Sequence, residues 1–203
     1  MKFPATRAHG FTLIELIVVI LIIATLAALL VPAAQRTLDR AKSAQAKNDV
    51  TQIVTAVNAY YTEYGKYPIA TNDTALTVTQ TADLFYTLRA KDPGSGANLN
   101  NAANPRKIVF ISPRDLGTAA NPRAGIGSDG RYYDPWGTPY NLAIDGNYDN
   151  VINTNPYGAN NGAGPQPLPQ GVIAWSLGKD RQLGKVVGGQ TVFTGSDDII
   201  SWQ

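Results

Sequence analysis

The feature that most constrains the fold is an apolar run over Phe11–Val31, in which Glu15 is the one charged residue. As a helix, this run would be about 31 Å long, close to the thickness of the hydrocarbon core of a bilayer. The ten residues before it contain Lys2, Arg7 and His9 and no acidic residue. Because basic flanks stay on the cytoplasmic side, the pattern predicts one membrane-spanning helix with a cytoplasmic N-terminus.

This apolar run has three interpretations. A secretory signal peptide would have a shorter run, a later cleavage site and no acid. A simple membrane anchor explains the length but not Glu15, because a carboxylate in a membrane helix is costly and usually has a partner. Cleavage between Gly10 and Phe11 would supply such a partner. The new amino group of Phe11 is a cation, and Glu15 of a neighbouring subunit can pair with it. The alternative for Glu15 is a polar residue tolerated near the membrane edge.

The N-terminal pattern also carries a family resemblance. The basic leader, Gly10, the pentapeptide Phe11–Glu15 and the unbroken apolar run resemble the signal of type IV prepilins and type II secretion pseudopilins. The resemblance implies a leader at residues 1–10, cleavage before Phe11 by a prepilin peptidase, and methylation of the new amine. It implies that the chain polymerises with itself, that Glu15 governs the register between protomers, and that residues 11–31 form the membrane or filament-core half of a helix.

The same resemblance implies partners and a location. The partners are minor pseudopilins and an inner-membrane assembly platform with a cytoplasmic ATPase. The precursor would cross the bacterial inner membrane once, with a cytoplasmic leader and a periplasmic head. After assembly it would lie in a periplasmic or cell-surface filament.

The helix is expected to continue beyond the membrane, from about Thr12 to Tyr64. Pro32 is expected to kink or locally unwind it, because proline removes one helical hydrogen bond. Gly65, followed by Pro68, is a typical helix stop. Residues 32–64 form the amphipathic half, with apolar residues at spacings of three and four: Val50, Ile53, Val54, Val57, Tyr60, Tyr61 and Tyr64.

The remaining residues, 65–203, predict a globular head made of short elements and extended loops. The expected fold class is α+β, with the long N-terminal helix packed on a small antiparallel sheet. Trp136, in the turn between two of the predicted strands, is expected to fill the small core. The predicted elements are a helix over Ala82–Lys91, strands over Lys107–Ser112, Tyr132–Ala143 (with a turn) and Gly171–Leu177, and loops over Asp92–Pro105 and Asn153–Gln170.

Composition excludes several kinds of site. The chain has no cysteine, so disulfides cannot hold the head together. Its one histidine is His9, in the segment expected to be removed, which leaves no imidazole for a zinc site or a Ser-His-Asp triad. The net charge is +2 without a basic cluster, so nucleic-acid binding is not indicated. No pair of acid and base or activated nucleophile stands out, and we expect no enzymatic activity.

The C-terminal region adds a second resemblance. The segments Asp134–Tyr140, Ser176–Asp180 and Ser196–Ile200 look like those of major pseudopilins of type II secretion systems. In that family a bound Ca²⁺ orders this region, where ordinary pilins often use a disulfide. The family commonly has glycine after the first aspartate, whereas this chain has Arg181, a cation that would weaken calcium binding.

The residue types fit calcium independently, because this ion takes six to eight oxygen ligands, including main-chain carbonyls. Three aspartates bracket the glycine-containing loop Gly184–Gly195, and the alternative is that they serve as turn and capping residues. The expected side-chain ligands are Asp180 and one or both of Asp197 and Asp198, with Ser196 and the Leu177 carbonyl as weaker candidates.

A second acidic loop is a weaker metal candidate. Asp145, Asn147 and Asp149 match the first, third and fifth positions of an EF-hand loop, with Asn150 in place of the turning glycine. The twelfth position is Pro156 rather than a bidentate glutamate. An Asx-rich turn is the favoured interpretation of this loop.

The leading functional hypothesis is a structural subunit of a periplasmic pseudopilus that drives type II protein secretion. The alternative with the same architecture is a surface type IV pilin used in adhesion, motility or DNA uptake. An alternative of another class is a membrane-anchored glycan-binding module.

Overall fold

The computed structural model describes residues 11–69, 71–159 and 161–203. Helix α1 spans Leu13–Tyr64, which confirms the long helix predicted from the sequence. It is followed by Gly65, whose φ of 66° is left-handed and whose amide donates to the Tyr61 carbonyl at 2.8 Å. Glycine is favoured at this position because it adopts a left-handed backbone without a steric penalty.

The described chain divides into two compact units between Ala41 and Lys42. In the first unit, the apolar side chains of α1 are exposed, from Leu13 to Val31. The helix is long and apolar enough to cross a membrane, by length and composition. The helix continues through Pro32, so it is not locally unwound there.

In the second unit, one face of α1 is buried in the head. The predicted stripe is largely confirmed, because Val50, Ile53, Val57 and Tyr60 are all buried. Tyr61 differs, since 39% of it is exposed. The apolar stripe therefore anchors the helix to the head, as expected for an amphipathic surface helix.

The second helix begins earlier than predicted. Helix α2 spans Val78–Leu88, whereas the sequence pattern suggested Ala82–Lys91. Thr77 accepts from the Gln80 amide through its side chain, and Gln80 accepts from the Thr77 amide in return. This capping box fixes the start of the helix one turn before the apolar residues that guided the prediction.

Among the described residues, three small antiparallel sheets complete the head, which confirms the predicted α+β class. Strands β1 (Gly125–Ile126) and β2 (Tyr132–Tyr133) form one sheet. The central sheet has the order β3-β4-β7, and the third is a two-stranded hairpin of β5 and β6. The bounds of these five strands are Asn141–Ile144 (β3), Val172–Ser176 (β4), Lys185–Val187 (β5), Gln190–Val192 (β6) and Ile199–Ile200 (β7).

Two sequence predictions for the head were wrong. Lys107–Ser112 is not a strand, because the Ile108 amide bonds the side chain of Asn104 and the Phe110 amide bonds the Leu88 carbonyl. The predicted loop Gly184–Gly195 contains the β5–β6 hairpin instead. In the loop predicted over Asp92–Pro105, one short 3₁₀ helix forms at Leu99–Asn101.

The described part of the head has two apolar clusters. The larger packs α1 and α2 against the central sheet and includes Trp136, as predicted. The smaller, which we call the C-terminal core, lies on the other residues of β3, β4 and β7 because successive strand residues face opposite sides. The buried members of the C-terminal core are Ala143, Ile152, Tyr157, Ala163, Leu168, Ile173, Trp175 and Ile200.

Candidate functional site

At the start of α1, Thr12 and Glu15 form a reciprocal cap. The Thr12 amide and hydroxyl donate to Glu15 Oε2 at 2.8 and 2.7 Å, and the Glu15 amide donates to the Thr12 hydroxyl at 3.3 Å. This is a capping box, whose signal in the sequence is a threonine followed three residues later by glutamate. This cap was not predicted from the sequence, because the apolar residues around Glu15 indicate only a membrane carboxylate.

The Glu15 carboxylate is exposed among apolar side chains. It borders a shallow recess lined by Phe11, Ile14, Val18 and Val19. Phe11 itself is 78% exposed. Gly10 and the rest of the predicted leader lie outside the described residues, so the processing site stays a prediction.

Pairing between β4 and β7 brings the predicted calcium ligands together. Ser176 pairs with Ile199, so the segments after β4 and before β7 lie side by side. One carboxylate oxygen from each of Asp180, Asp197 and Asp198 lies within 4.8 Å of the others. Two ligands on opposite sides of Ca²⁺ are about 5 Å apart. The three oxygens can therefore share one ion.

Asp198 gives a further test of whether a cation fits. It is 5% exposed, and its Oδ2 accepts from the Tyr157 hydroxyl at 2.8 Å and from the Gly184 amide at 2.6 Å. Its Oδ1 is buried without a hydrogen-bond partner among the described residues, as is Oγ of Ser196. A buried polar atom without a partner is costly, and a cation at this place would satisfy it. The residues present therefore fit calcium.

In this cluster the negative charge of Asp198 is disfavoured. Burial raises the pKa of Asp198, hydrogen bonds from Tyr157 and Gly184 lower it, and the nearby Asp197 and Asp180 raise it. The net direction is upward, which means that the site disfavours a third negative charge in the absence of a cation.

The other two aspartates also act as turn residues. Asp197 Oδ2 accepts from the amides of Lys179 and Asp180 at 2.5 and 3.1 Å. Asp180 Oδ1 accepts from the Gln182 amide at 2.8 Å. The weaker candidate Leu177 is half-buried against the C-terminal core. Capping and ligation are compatible, because each carboxylate has a second oxygen.

Backbone geometry at Gly178 and Arg181 shapes this cluster. Gly178 has a φ of 64°, and a Cβ there would lie 2.4 Å from the Asp197 carbonyl oxygen. Arg181 has a φ of 61°, so the position after the first aspartate needs the left-handed backbone that glycine adopts readily. Its guanidinium donates to the Trp136 carbonyl at 2.8 Å.

The Asp145 loop is closed by its own hydrogen bonds. Asp145 accepts from the amides of Asn147, Tyr148 and Asn150 at 3.1, 2.7 and 2.7 Å. Asp149 accepts from the Val151 amide at 2.9 Å and from the Asn147 side chain at 3.0 Å. Asn150 has a φ of 62°. These are the contacts of an Asx-rich turn, and calcium binding at this loop stays a prediction.

Asp134 is a buried carboxylate whose role the sequence did not reveal. Its Oδ1 accepts from the amides of Trp136, Gly137 and Thr138, all at 2.8–2.9 Å. Its Oδ2 accepts from the Ser176 hydroxyl at 2.6 Å, and that hydroxyl accepts from the Gly178 amide. Asp134 thus links the turn after β2 to the segment that carries Asp180.

Comparison with known proteins places these features in a family. Residues 5–31 match the prokaryotic N-terminal methylation motif. Type II secretion system core protein G of Pseudomonas aeruginosa is 44% identical over 62 residues, covering 30% of this chain and 44% of that protein. A fimbrial protein of Neisseria meningitidis serogroup A is 38% identical over 122 residues, covering 56% of this chain and 71% of that protein. No solved structure matches significantly.

The two relatives are matched to different extents. This chain spans less than half of the secretion protein but more than two thirds of the fimbrial protein. The methylation motif covers the segment that contains Phe11 and Glu15. The long N-terminal helix and the small antiparallel sheets agree with these matches. On this evidence, the chain belongs to the type IV pilin-like family.

Proposed function

We propose that this chain is a structural subunit of a periplasmic pseudopilus that drives type II protein secretion. It is made as a membrane-anchored precursor and polymerises after leader cleavage and N-methylation. The proposal is supported by the 44% identity to a type II secretion core protein and by the methylation motif. The observation that carries it is the exposed Glu15 carboxylate at the start of an apolar helix.

In this proposal, Glu15 pairs between subunits. In a lipid or filament core, an exposed carboxylate is costly without a cation. Cleavage after Gly10 leaves a positively charged amine on Phe11, which a neighbouring subunit's Glu15 would bind. The Thr12 amide already holds Glu15 Oε2, which fixes the carboxylate at the helix end. The apolar helix then exchanges lipid for neighbouring helices as subunits leave the inner membrane.

Substitution of Glu15 tests this assembly step. Glu15→Ala should abolish filaments, as detected by crosslinking between subunits, while the chain still fractionates with the membrane. Thr25→Ala is a matched control, because Thr25 is another polar residue of the apolar run and its hydroxyl donates to the Ile22 carbonyl of the same helix at 2.8 Å. Normal filaments in the Glu15→Ala variant would contradict the pairing.

The mature N-terminus tests the processing step. Mass spectrometry of the protein from its native cell should find a chain that begins with a methylated Phe11. A mature protein that still begins with Met1 would overturn the proposal, because the cation at Phe11 would never form.

A surface type IV pilin is the second candidate, supported by the 38% identity to a fimbrial protein. Deletion of the gene followed by complementation separates the two roles. Loss of exoprotein export without loss of surface filaments supports the pseudopilus, and the reverse result supports the pilin. A screen of the full chain against a glycan panel tests the glycan-binding alternative.

We further propose that Ca²⁺ binds the aspartate cluster of the head. Asp180, Asp197 and Asp198 would hold it through carboxylates, with Ser196 and the Leu177 carbonyl as further oxygen donors. The unpartnered Asp198 Oδ1 and Ser196 Oγ support this assignment. A bound divalent cation offsets the repulsion among three carboxylates and connects the two segments that carry them.

Calcium titration tests this site. Addition of Ca²⁺ to the chelated, detergent-solubilised protein should raise its melting temperature by mass action, and Asp180→Asn should reduce that shift. Asp92→Asn, at an exposed loop carboxylate, is the control. A stoichiometry of two that falls to one in Asp149→Asn would support the weaker site at Asp145, Asn147 and Asp149.

A further inference from the structure

We infer that Tyr157 is a positioning residue for the calcium ligand Asp198, an inference that rests on the proposed calcium site. The Tyr157 hydroxyl donates to Asp198 Oδ2 at 2.8 Å, and the Gly184 amide donates to the same oxygen at 2.6 Å. Both groups approach one oxygen of the carboxylate. The other oxygen, Oδ1, is buried and has no hydrogen-bond partner in the part of the chain that the structure describes, so it is the atom presented to a cation.

The Tyr157 ring is held in place by the C-terminal core. It is 2% exposed and packs edge-on to Phe193, with a distance of 5.3 Å between ring centroids. A second aromatic contact, to Trp202, has a centroid distance of 6.4 Å. A phenol that is buried on all sides cannot swing away, so its hydroxyl has a fixed direction toward Asp198.

The main chain around Tyr157 is fixed by two asparagines. Its amide donates to Asn155 Oδ1 at 3.1 Å, and its carbonyl accepts from Asn161 Nδ2 at 2.5 Å. The loop that contains these residues is closed at its base by Ile152 and Leu168, whose amides and carbonyls bond each other at 2.9 Å. A loop distant in sequence from the aspartates thus controls the orientation of one of them.

The expected consequence is a change in metal affinity rather than in folding alone. Hydrogen-bond partners behind a metal ligand typically change affinity 10- to 100-fold when removed. Without the hydroxyl, Asp198 Oδ2 keeps only the Gly184 amide, and the carboxylate can rotate away from the ion. Water would then replace Asp198 Oδ1 in the coordination sphere.

The test compares two buried tyrosines that make the same kind of hydrogen bond. Tyr157→Phe removes the donor to Asp198, and Tyr140→Phe removes a donor that bonds Asp49 at the same distance of 2.8 Å. Calorimetric titration of the full-length chain in detergent should show calcium binding weakened about tenfold or more in Tyr157→Phe. Tyr140→Phe should bind calcium like the wild type.

Two further measurements exclude a merely structural effect. Tb³⁺ luminescence lifetimes in H₂O and D₂O count the waters on the bound ion, and Tyr157→Phe should add about one. In an Asp198→Asn background, Tyr157→Phe should have no further effect on calcium affinity, because it acts through Asp198. Circular dichroism with chelator present confirms that each variant is folded.

The outcomes separate this inference from the calcium site itself. If the wild type binds calcium and Tyr157→Phe has the same affinity and hydration, the positioning role is overturned and the site stands. The positioning role is also overturned if Tyr157→Phe lowers calcium affinity equally in the wild-type and Asp198→Asn backgrounds. If the wild type binds no calcium, both the site and the inference are overturned.

Discussion

The hydroxyl of Tyr140 donates a 2.8 Å hydrogen bond to Asp49, a buried carboxylate on the face of α1 that packs in the head. Tyr132 also bonds Asp49, and its ring packs edge-on to that of Tyr140 with centroids 5.0 Å apart. Burial raises the pKa of Asp49, and the two hydroxyls oppose that shift. The contact between α1 and the head therefore includes Asp49, an ionisable group whose charged form is disfavoured by burial.

The first prediction concerns the pH dependence of stability at Asp49. Because its folded pKa lies above the ordinary 3.8, the folded state binds more protons than the unfolded state between the two values. The contribution of protonated Asp49 to the free energy of unfolding is therefore complete below the ordinary pKa of 3.8. It is lost as the pH rises through the raised pKa of the folded state. Asp49→Asn should remove this decline, as measured by urea unfolding between about pH 4 and pH 7.

Asp92→Asn, at an exposed carboxylate of a loop, provides the comparison for this experiment. Its curve should follow that of the wild type. If the Asp49→Asn curve also parallels the wild type at every pH, the buried carboxylate does not titrate as described.

The second prediction concerns Lys47, which connects α1 to the C-terminal strand. Its ammonium donates to the Ile200 carbonyl at 2.8 Å and also to the main-chain oxygen of Gln203. Lys47→Met should keep the packing of the side-chain stem and cost about 1–2 kcal/mol of unfolding free energy. Hydrogen exchange at Ile200–Gln203 should become faster. Lys66→Met, at an exposed lysine after the helix, should leave that exchange unchanged.

The third prediction compares two glycines with left-handed backbones. Gly178→Ala would place a Cβ 2.4 Å from the Asp197 carbonyl oxygen. At Gly188, at the tip of the β5–β6 hairpin, an added Cβ would meet no described atom within 4 Å beyond its chain neighbours. Gly188→Ala should cost about 1 kcal/mol, the ordinary penalty of the left-handed region. Gly178→Ala should cost about 3 kcal/mol, because the clash adds to that penalty. Thermal unfolding with chelator present measures both; equal costs would contradict the close approach.

The fourth prediction concerns Arg181, whose φ of 61° is unfavourable for a residue with a side chain. Arg181→Ala and Arg181→Gly both remove the guanidinium and its bond to the Trp136 carbonyl. They differ in backbone freedom, so the glycine variant should be more stable than the alanine variant by about 1 kcal/mol. Both should bind calcium more tightly than the wild type, because a nearby positive charge is removed. Weaker binding in both would show that the guanidinium supports the site.

Local patterns were sufficient to predict the long helix but not every element of the head. The apolar run, the spacing of the buried stripe and Gly65 predicted α1 almost to the residue. The pattern over Lys107–Ser112 failed because Asn104 and Leu88 take its amide hydrogen bonds, an arrangement that depends on tertiary contacts. The β5–β6 hairpin was missed although Gly188 and Gly189 form a two-residue turn signal.

The aspartate cluster could be predicted from the chemistry of its residues. The residues that hold these aspartates in place could be found only from the structure. Asp180, Asp197 and Asp198 are the kind of oxygen donors that calcium prefers, and the structure brings them together. Tyr157 lies 41 positions before Asp198 in the chain, so no local motif connects them. The same holds for Asp134 and Ser176, which are 42 positions apart.

The β5–β6 hairpin leaves and re-enters the head between Asp180 and Asp197, whose carboxylates meet at its base. Its tip at Gly188–Gly189 is exposed. A Cβ added at either glycine would meet no described atom within 4 Å beyond its chain neighbours. Loop tips of this kind tolerate added sequence. An epitope or a fluorophore attached there would report on individual subunits in living cells while the aspartate cluster keeps its geometry.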